Sequence, residues 1–387
     1  MRTTRYIVLA LALVMLVSTV GTAADVAKIQ ALVEFDSRAE WREFVSIPGL
    51  DVMRSKPGVM VQIVTDSQQL EELRSLGYAL TVEIEDMERY YSSRMRGPNF
   101  GEFHTYSEMI DFLDDLHANY PLITTARESI GSSWEGRALW AIKISDNPDV
   151  DETEPEVLFD GMHHAREPMS LEVQIHYMNW LCQNYGSDPE ATFLVDNREI
   201  WFLPIVNPDG YVYNETTYPQ GGGMWRKNRR DNDGSSCYGV DPNRNYDYMW
   251  GTSGISFNPC NDTYCGTSAF SEPEIQAYRD FVLDHEFVTN VTFHSVAGMV
   301  LLPWGYDYTQ HTADDALFRT MANEMAKYNG YQVGQAGEIL YDCSGTTCDW
   351  AYGVADVLSR CIEVAGTDFW PQASAIAGPT PQYLWPQ

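Results

Sequence analysis

The sequence predicts an α/β fold, a mixed and mostly parallel central sheet flanked by helices, preceded by a small α+β domain. Three observations carry this. Strand-like and helix-like segments alternate from residue 100 onward with no break in composition. The strand candidates there are largely apolar, as expected of a sheet covered by helices on its faces. A separate strand–helix–strand–helix–strand pattern ends before a polar stretch beginning at Ser92.

In the first pattern, Ala31 to Phe35 reads as a strand and Ala39 to Val45 as a short helix. Val59 to Val64 is a second strand, Ser67 to Leu76 a helix stopped at Gly77, and Tyr78 to Ile84 a third strand. Ser92 to Asn99 is polar, contains Gly97 and Pro98, and reads as an exposed linker whose Arg94 and Arg96 would suit a processing protease. Beyond it, Ser107 to Asn119 is helical, with Met109, Ile110, Leu113 and Leu116 on one face and a stop before Pro121. Leu139 to Ile144, Glu156 to Phe159, Ile200 to Val206, Val288 to Phe293 and Val357 to Val364 read as strands, and Pro168 to Tyr185 and Glu272 to Asp284 as helices.

The chain has 387 residues, 44% of them apolar, which is enough for a sizeable core and more than one domain. Its 55 acidic residues against 25 basic ones exclude nucleic acid and anionic lipid as partners, since phosphates call for Lys and Arg. Residues 1–24 read as a signal peptide. Arg2 and Arg5 precede the apolar run Ile7 to Val17, which is too short to span a bilayer, and small residues end at Ala23 and Ala24. The expected organisation is therefore signal peptide 1–24, propeptide-like domain and linker 25–96, and catalytic domain 97–387. The protein is expected to be secreted, to the exterior or a periplasm, as a monomer that binds neither membrane nor nucleic acid. Seven cysteines in an exported chain imply some pairing and leave at least one thiol over.

The sharpest chemical feature is His163-His-Ala-Arg-Glu167. In a single turn after a strand, the spacing of His164 and Glu167 puts an imidazole and a carboxylate on the same side, as two ligands of a catalytic zinc require. Alone the pattern is common, and a solvated turn is its ordinary explanation. Its position strengthens it. His164, Asn207, His294 and Glu363 all fall at the carboxyl ends of predicted strands, where open α/β sheets bind ligands. Two His and one Glu with a fourth position open make a catalytic rather than a structural zinc set. A second cluster, Trp225 to Arg230 followed by Asp241 to Asn245, concentrates Arg in an acidic chain. Guanidinium forks pair with carboxylates, so this cluster beside a metal suggests recognition of a free C-terminus, with surface salt bridges as the plainer alternative.

His164-x-x-Glu167, Asn207 to Tyr211, Trp225-Arg226-Lys227, Gly239 to Asn245, His294-Ser295, Tyr341 and Cys361-Ile-Glu363 together resemble, in order, the zinc carboxypeptidases of the pancreatic carboxypeptidase A type across about residues 100 to 370. The resemblance implies one zinc per chain, held by His164, Glu167 and His294, with Asp241 orienting His164. It implies Glu363 as the general base that takes a proton from zinc-activated water, and Arg226 as the stabiliser of the tetrahedral oxyanion. Asn243 and Arg244 would bind the terminal carboxylate of a peptide or protein substrate, Tyr341 would close over it, and Arg166 would serve an outer substrate position. Residues 25–96 would occupy the place of an activation segment. Cys237 and Cys260 match the family's common disulfide.

At the floor of the side-chain pocket, where relatives that prefer basic residues usually carry an acid, the alignment puts Cys348, with Leu301 and Gly305 on the other wall. An apolar or aromatic C-terminal residue is therefore expected, although Glu338 and Asp342 lie nearby in sequence. Cys343 and Cys361 also fall near the pocket, one disulfide among these three thiols being conceivable, and Cys182 is expected to be a core thiol. The resemblance also implies a longer closing segment than the 24 residues after Glu363, so a shortened C-terminus is expected. A peptidoglycan peptide hydrolase on the same fold, or a pseudoenzyme that keeps zinc without catalysis, are the alternatives. Retention of Glu363 and Arg226 speaks against the second.

Overall fold

The computed structural model describes residues 27–95, 100–364 and 366–372; the expected signal peptide, Arg96 and the residues from 373 onward lie outside them. The N-terminal stretch runs β1 (Ile29–Glu34), α1 (Arg38–Val45), β2 (Asp51–Lys56), β3 (Met60–Thr65), α2 (Ser67–Ser75), β4 (Leu80–Ile84) and α3 (Met87–Ser92). Its sheet has the order β2-β3-β1-β4 with antiparallel pairing throughout. Ser37 caps α1 by accepting from the Glu40 amide and Asp66 caps α2 by accepting from that of Gln69. The helices then bury Trp41, Phe44, Leu70 and Leu73 against Ala31, Val33, Val61 and Ile63.

The sequence reading omitted β2. Asp51-Val-Met-Arg-Ser-Lys has no alternating pattern of its own, and it becomes a strand through pairing with β3. The register slips between Val52 and Arg54, leaving Met53 bulged out of the ladder. Met53 packs into the main core of the chain rather than into the core of its own sheet.

Beyond the linker come α4 (Tyr106–Asn119), β5 (Glu128–Ser132), β6 (Ala138–Ile144), β7 (Glu156–Gly161), α5 (Met169–Asn184), α6 (Pro189–Val195), β8 (Glu199–Leu203) and α7 (Pro208–Thr217). There follow α8 (Pro273–Leu283), β9 (Phe287–Ser295), β10 (Met299–Leu302), α9 (Asp315–Met325), β11 (Gln332–Gln335), α10 (Ala336–Ile339), α11 (Thr347–Gly353) and β12 (Leu358–Val364). The second sheet has the order β11-β10-β12-β9-β7-β8-β6-β5. Its centre, β12-β9-β7-β8, is parallel, while β6, β5 and the β10–β12 contact are antiparallel. The predicted mixed, mostly parallel sheet with flanking helices is what forms.

Alternation along the strands divides the core. Phe159, Ile200, Phe202 and Phe293 pack with Leu113 of α4 and Leu171, Ile175 and Met178 of α5. Leu158, Trp201 and Leu203 pack on the other face with Ile275, Tyr278 and Phe281 of α8 and Trp350 of α11. Gly161, ending β7, permits the close approach of α5: a Cβ there would sit 2.6 Å from Gln174 Nε2 and 3.0 Å from the Ser170 carbonyl. Among the described residues no helix is long and apolar enough to cross a membrane.

Candidate active site

β7 ends at Gly161 and α5 begins at Met169, and the turn between them carries the His-x-x-Glu motif. The Glu167 amide donates to the His164 carbonyl at 3.1 Å, closing the turn so that both side chains point the same way. His294 lies near the end of β9, next to β7 in the sheet. Three ligand atoms converge here. His164 Nδ1 is 2.9 Å from Glu167 Oε1, and His294 Nδ1 is 3.1 Å from His164 Nδ1 and 3.0 Å from Glu167 Oε2. All three residues are buried, and their donors suit one cation with open coordination on the cleft side.

The supports of this centre are equally defined. Asp241 Oδ1 meets His164 Nε2 at 3.1 Å, fixing the ring through its far nitrogen. Asp241 Oδ2 accepts from Arg226 Nε at 3.0 Å and Nη2 at 2.8 Å, two charge-assisted bonds that converge on one oxygen. The Ala165 amide donates to the Arg226 carbonyl at 3.0 Å, and Asn214 bridges the Ala165 and Trp225 carbonyls, so the arginine loop is tied to the ligand turn.

Burial opposes the charges of Glu167 and Asp241. His164 and His294 override it for Glu167, and Arg226 and His164 for Asp241, so both carboxyls are held well below their ordinary range. Burial likewise opposes the charge of Arg226, and Asp241 and Asp51 hold it on. Glu363 differs. Its strand β12 runs parallel to β9 with Glu363 in register with His294, and burial together with the Glu167 charge pushes its carboxyl up to about 8.

The predicted carboxylate-binding residues lie beside this centre. Arg244 donates from Nη2 to the Tyr341 hydroxyl at 2.6 Å and from Nε to the Gly254 carbonyl at 3.0 Å. Asn243 reaches His294 Nε2 at 3.2 Å, while its Oδ1 accepts from the Thr347 amide at 2.9 Å. His164, Glu167, Arg226, Asn243, Arg244, Tyr341 and Glu363 all line one cleft, together with Leu301, Gly305, Cys343, Cys348 and Cys361.

Several expectations change. Asn207 is fully buried and stays out of the cleft; its side chain donates to the His163 carbonyl and accepts from the Gly210 amide, capping α7. Glu338 is paired with Arg319 at 3.1 Å. Asp342 accepts from the Tyr308 amide and lies 3.6 Å from Arg42, and neither acid lines the cleft. Cys343, Cys348 and Cys361 are free thiols, and burial raises all three, Cys343 to about 12, so they sit protonated and uncharged. Cys237 and Cys260 form the expected disulfide, and Cys182 is a buried thiol.

Two acids went unremarked in the sequence. Asp51, at the start of β2, accepts from Arg166 Nη2 on both oxygens, at 2.7 and 2.6 Å, and lies 3.7 Å from Arg226 Nη1. Arg166, expected at an outer substrate position, is thereby buried beneath the N-terminal sheet. Asp349, next to Cys348 on α11, lines the cleft and is fully buried. Its position one residue after the aligned floor residue was the only signal available.

A family model described as zinc carboxypeptidase matches residues 109–385. Carboxypeptidase A2 of Mus musculus is 33% identical over 334 residues, covering 84% of this chain and 77% of that protein. Carboxypeptidase A1 of Homo sapiens is 30% identical, covering 94% and 90%. The crystal structure of carboxypeptidase A from Helicoverpa armigera superposes with a TM-score of 0.74 at 25% identity, over 90% of this chain and 93% of that one.

Proposed function

The chain belongs to the zinc carboxypeptidase family, and we propose that it is an exported precursor that uses one zinc per chain to remove apolar or aromatic C-terminal residues from peptides. Family membership makes it a zinc-dependent peptide hydrolase. The observation that carries the finer reading is the register of β12 on β9, which sets Glu363 beside His294 and the other converging ligand atoms.

His164, Glu167 and His294 hold the metal in this reading, and the two-His, one-carboxylate donor set fits zinc. When bound, zinc supplies a Lewis acid that acidifies water and polarises a carbonyl. Glu363 takes the proton from the attacking water and returns it to the departing amine. Arg226, oriented by its two bonds to Asp241, turns a guanidinium toward the charge that develops on the carbonyl oxygen. Arg244, Asn243 and Tyr341 grip the terminal carboxylate, which restricts cleavage to the last peptide bond. Leu301, Leu340 and the protonated Cys348 provide an apolar wall for the departing residue.

Residues 25–96 act as an activation segment in this reading. Asp51 occupies Arg166, and Val52 and Met53 line the cleft. Helix α1 adds a latch: Arg42 donates to the Gly337 carbonyl and stacks 3.6 Å from the Tyr308 ring centre, close to the loop that carries Tyr341. Cutting near Arg94 or Arg96 should raise peptidase activity sharply, and equal activity before and after the cut would make the segment an accessory. The leader-like N-terminus and the Cys237–Cys260 disulfide support export to the exterior or a periplasm, and the chain acts as a monomer.

The deciding experiment is a set of peptides varied only at the last residue, assayed with and without a chelator. Single C-terminal residues should be released, release should stop on chelation, and zinc should restore it. Cleavage at internal bonds would overturn the reading.

A further inference from the structure

His163 opens the ligand turn, yet it belongs neither to the ligand set nor to the cleft wall. It is fully buried, and its ring stacks on that of His294, with centroids 5.4 Å apart and planes at 22°. Its Nε2 meets the Tyr246 hydroxyl at 2.8 Å and the Thr347 hydroxyl at 2.9 Å, and its Nδ1 faces Asp160 Oδ1 at 3.6 Å. Asp160 is held in turn, its Oδ2 accepting from the Tyr278 hydroxyl at 2.9 Å and from Asn290 at 2.6 Å. A side chain that only filled space after a strand would need none of these partners, and burying an imidazole is costly without them.

Thr347 carries the connection onward. It is the first residue of α11, and its hydroxyl lies 3.1 Å from Asn243 Oδ1 as well as beside His163. Its amide donates to the same Asn243 oxygen at 2.9 Å. An Asn side chain offers one acceptor oxygen and one donor nitrogen. With Oδ1 claimed by Thr347, Nδ2 is left to face the metal centre, 3.2 Å from His294 Nε2. The orientation in which Asn243 can donate to a carboxylate is therefore set from behind.

We propose that His163 is a positioning residue for carboxylate recognition: through Thr347 it fixes the amide of Asn243 with its donor turned to the cleft. The inference rests on reading Asn243 as a partner of the substrate's terminal carboxylate. His163 itself never touches substrate. Its anchor Asp160 stands on β7, and both Asn290 and the stacked His294 stand on β9. These two strands also position the metal ligands, so one buried network places the terminal carboxylate and the scissile bond relative to each other.

The test titrates 3-phenylpropanoate, a carboxylate with no peptide bond, into the zinc-loaded full chain, cut near Arg94 or Arg96 with both pieces retained. Calorimetry gives the dissociation constant and the number of working sites separately, without turnover. His163→Leu and Thr347→Val should each weaken binding by about five- to tenfold, part of what a hydrogen bond to a charged group is worth. The double variant should be no weaker than the worse single one, because both act along one path. A role in folding alone would lower the number of working sites and leave the dissociation constant unchanged. Thr347→Val keeps the side chain's shape and the amide, so it carries the test if His163→Leu fails to fold. Unchanged affinity in Thr347→Val, or full additivity in the double variant, would overturn the proposal. Weaker binding in Asn243→Ala with none in Thr347→Val would sink this inference alone. Unchanged affinity in Asn243→Ala, or no binding to the unmodified protein, would sink the reading of the cleft beneath it.

Discussion

The two sides of the cleft are held by different physics. On the metal side nearly every polar atom is spoken for: His164 by Asp241, Asp241 by Arg226, and Glu167 by both imidazoles. On the side-chain side the wall is aliphatic carbon and protonated sulfur, with Asp349 as the lone acid. A paired network gives geometry to tenths of an ångström and tolerates little change. An apolar wall gives volume, and volume tolerates exchange among residues of similar size. Chemistry should therefore be sensitive to single atoms on the first side, and selectivity should shift by small energies on the second.

The largest expected effect lies on the metal side. Glu363→Gln should lower kcat/KM by about a hundred- to ten-thousand-fold, the usual contribution of a general base, while elemental analysis still finds zinc. Near-normal turnover in that variant would mean that another group moves the proton. Asp241→Asn should weaken zinc by about ten- to a hundred-fold, measured by competition with a chelator, because a group that orients a ligating His is typically worth that much. An unchanged zinc affinity would break the claim that the network sets the ligand geometry.

Between the two sides sits carboxylate recognition. Amidating a peptide's C-terminus removes a charge-assisted hydrogen bond to Arg244, worth about 1.5–3 kcal/mol, so kcat/KM should fall by roughly ten- to a hundred-fold. Equal rates would show that Arg244 and Tyr341 do not read the terminus. The smallest effect belongs to the apolar wall. Peptides ending in Phe or Leu should outpace those ending in Gly through burial worth about 1.5–3 kcal/mol at most, less where the side chain keeps some solvent contact. Faster release of Gly would show that the wall is too crowded to admit a side chain.

How much of this was readable in the chain follows the same division. The residues of the metal side announce themselves, because ligands need particular atoms at particular spacings. His164 and Glu167 require one turn, and His294 and Glu363 require strand ends. Asn207 shared that position and misled, since a strand end that begins a helix also needs a cap. Glu338 and Asp342 were near the pocket in sequence, yet both turn to basic partners outside it. Asp349 was passed over because adjacent residues on a helix usually face different ways. Here the first turn of α11 presents both Cys348 and Asp349 to the cleft.

β2 shows the limit most clearly. Its six residues carry no strand pattern, so neither the strand nor the reach of Asp51 to Arg166, 115 positions away, could be read locally. The order of residues sufficed for the sheet class and for the family, because periodicity and donor type are local properties of a chain. The covering of the cleft by β2, the outward pairing of two acids and the solitary burial of a third were decided by packing. Each of these depends on which charged groups from distant segments come within 4 Å of one another, and that distance exists only once the chain has folded.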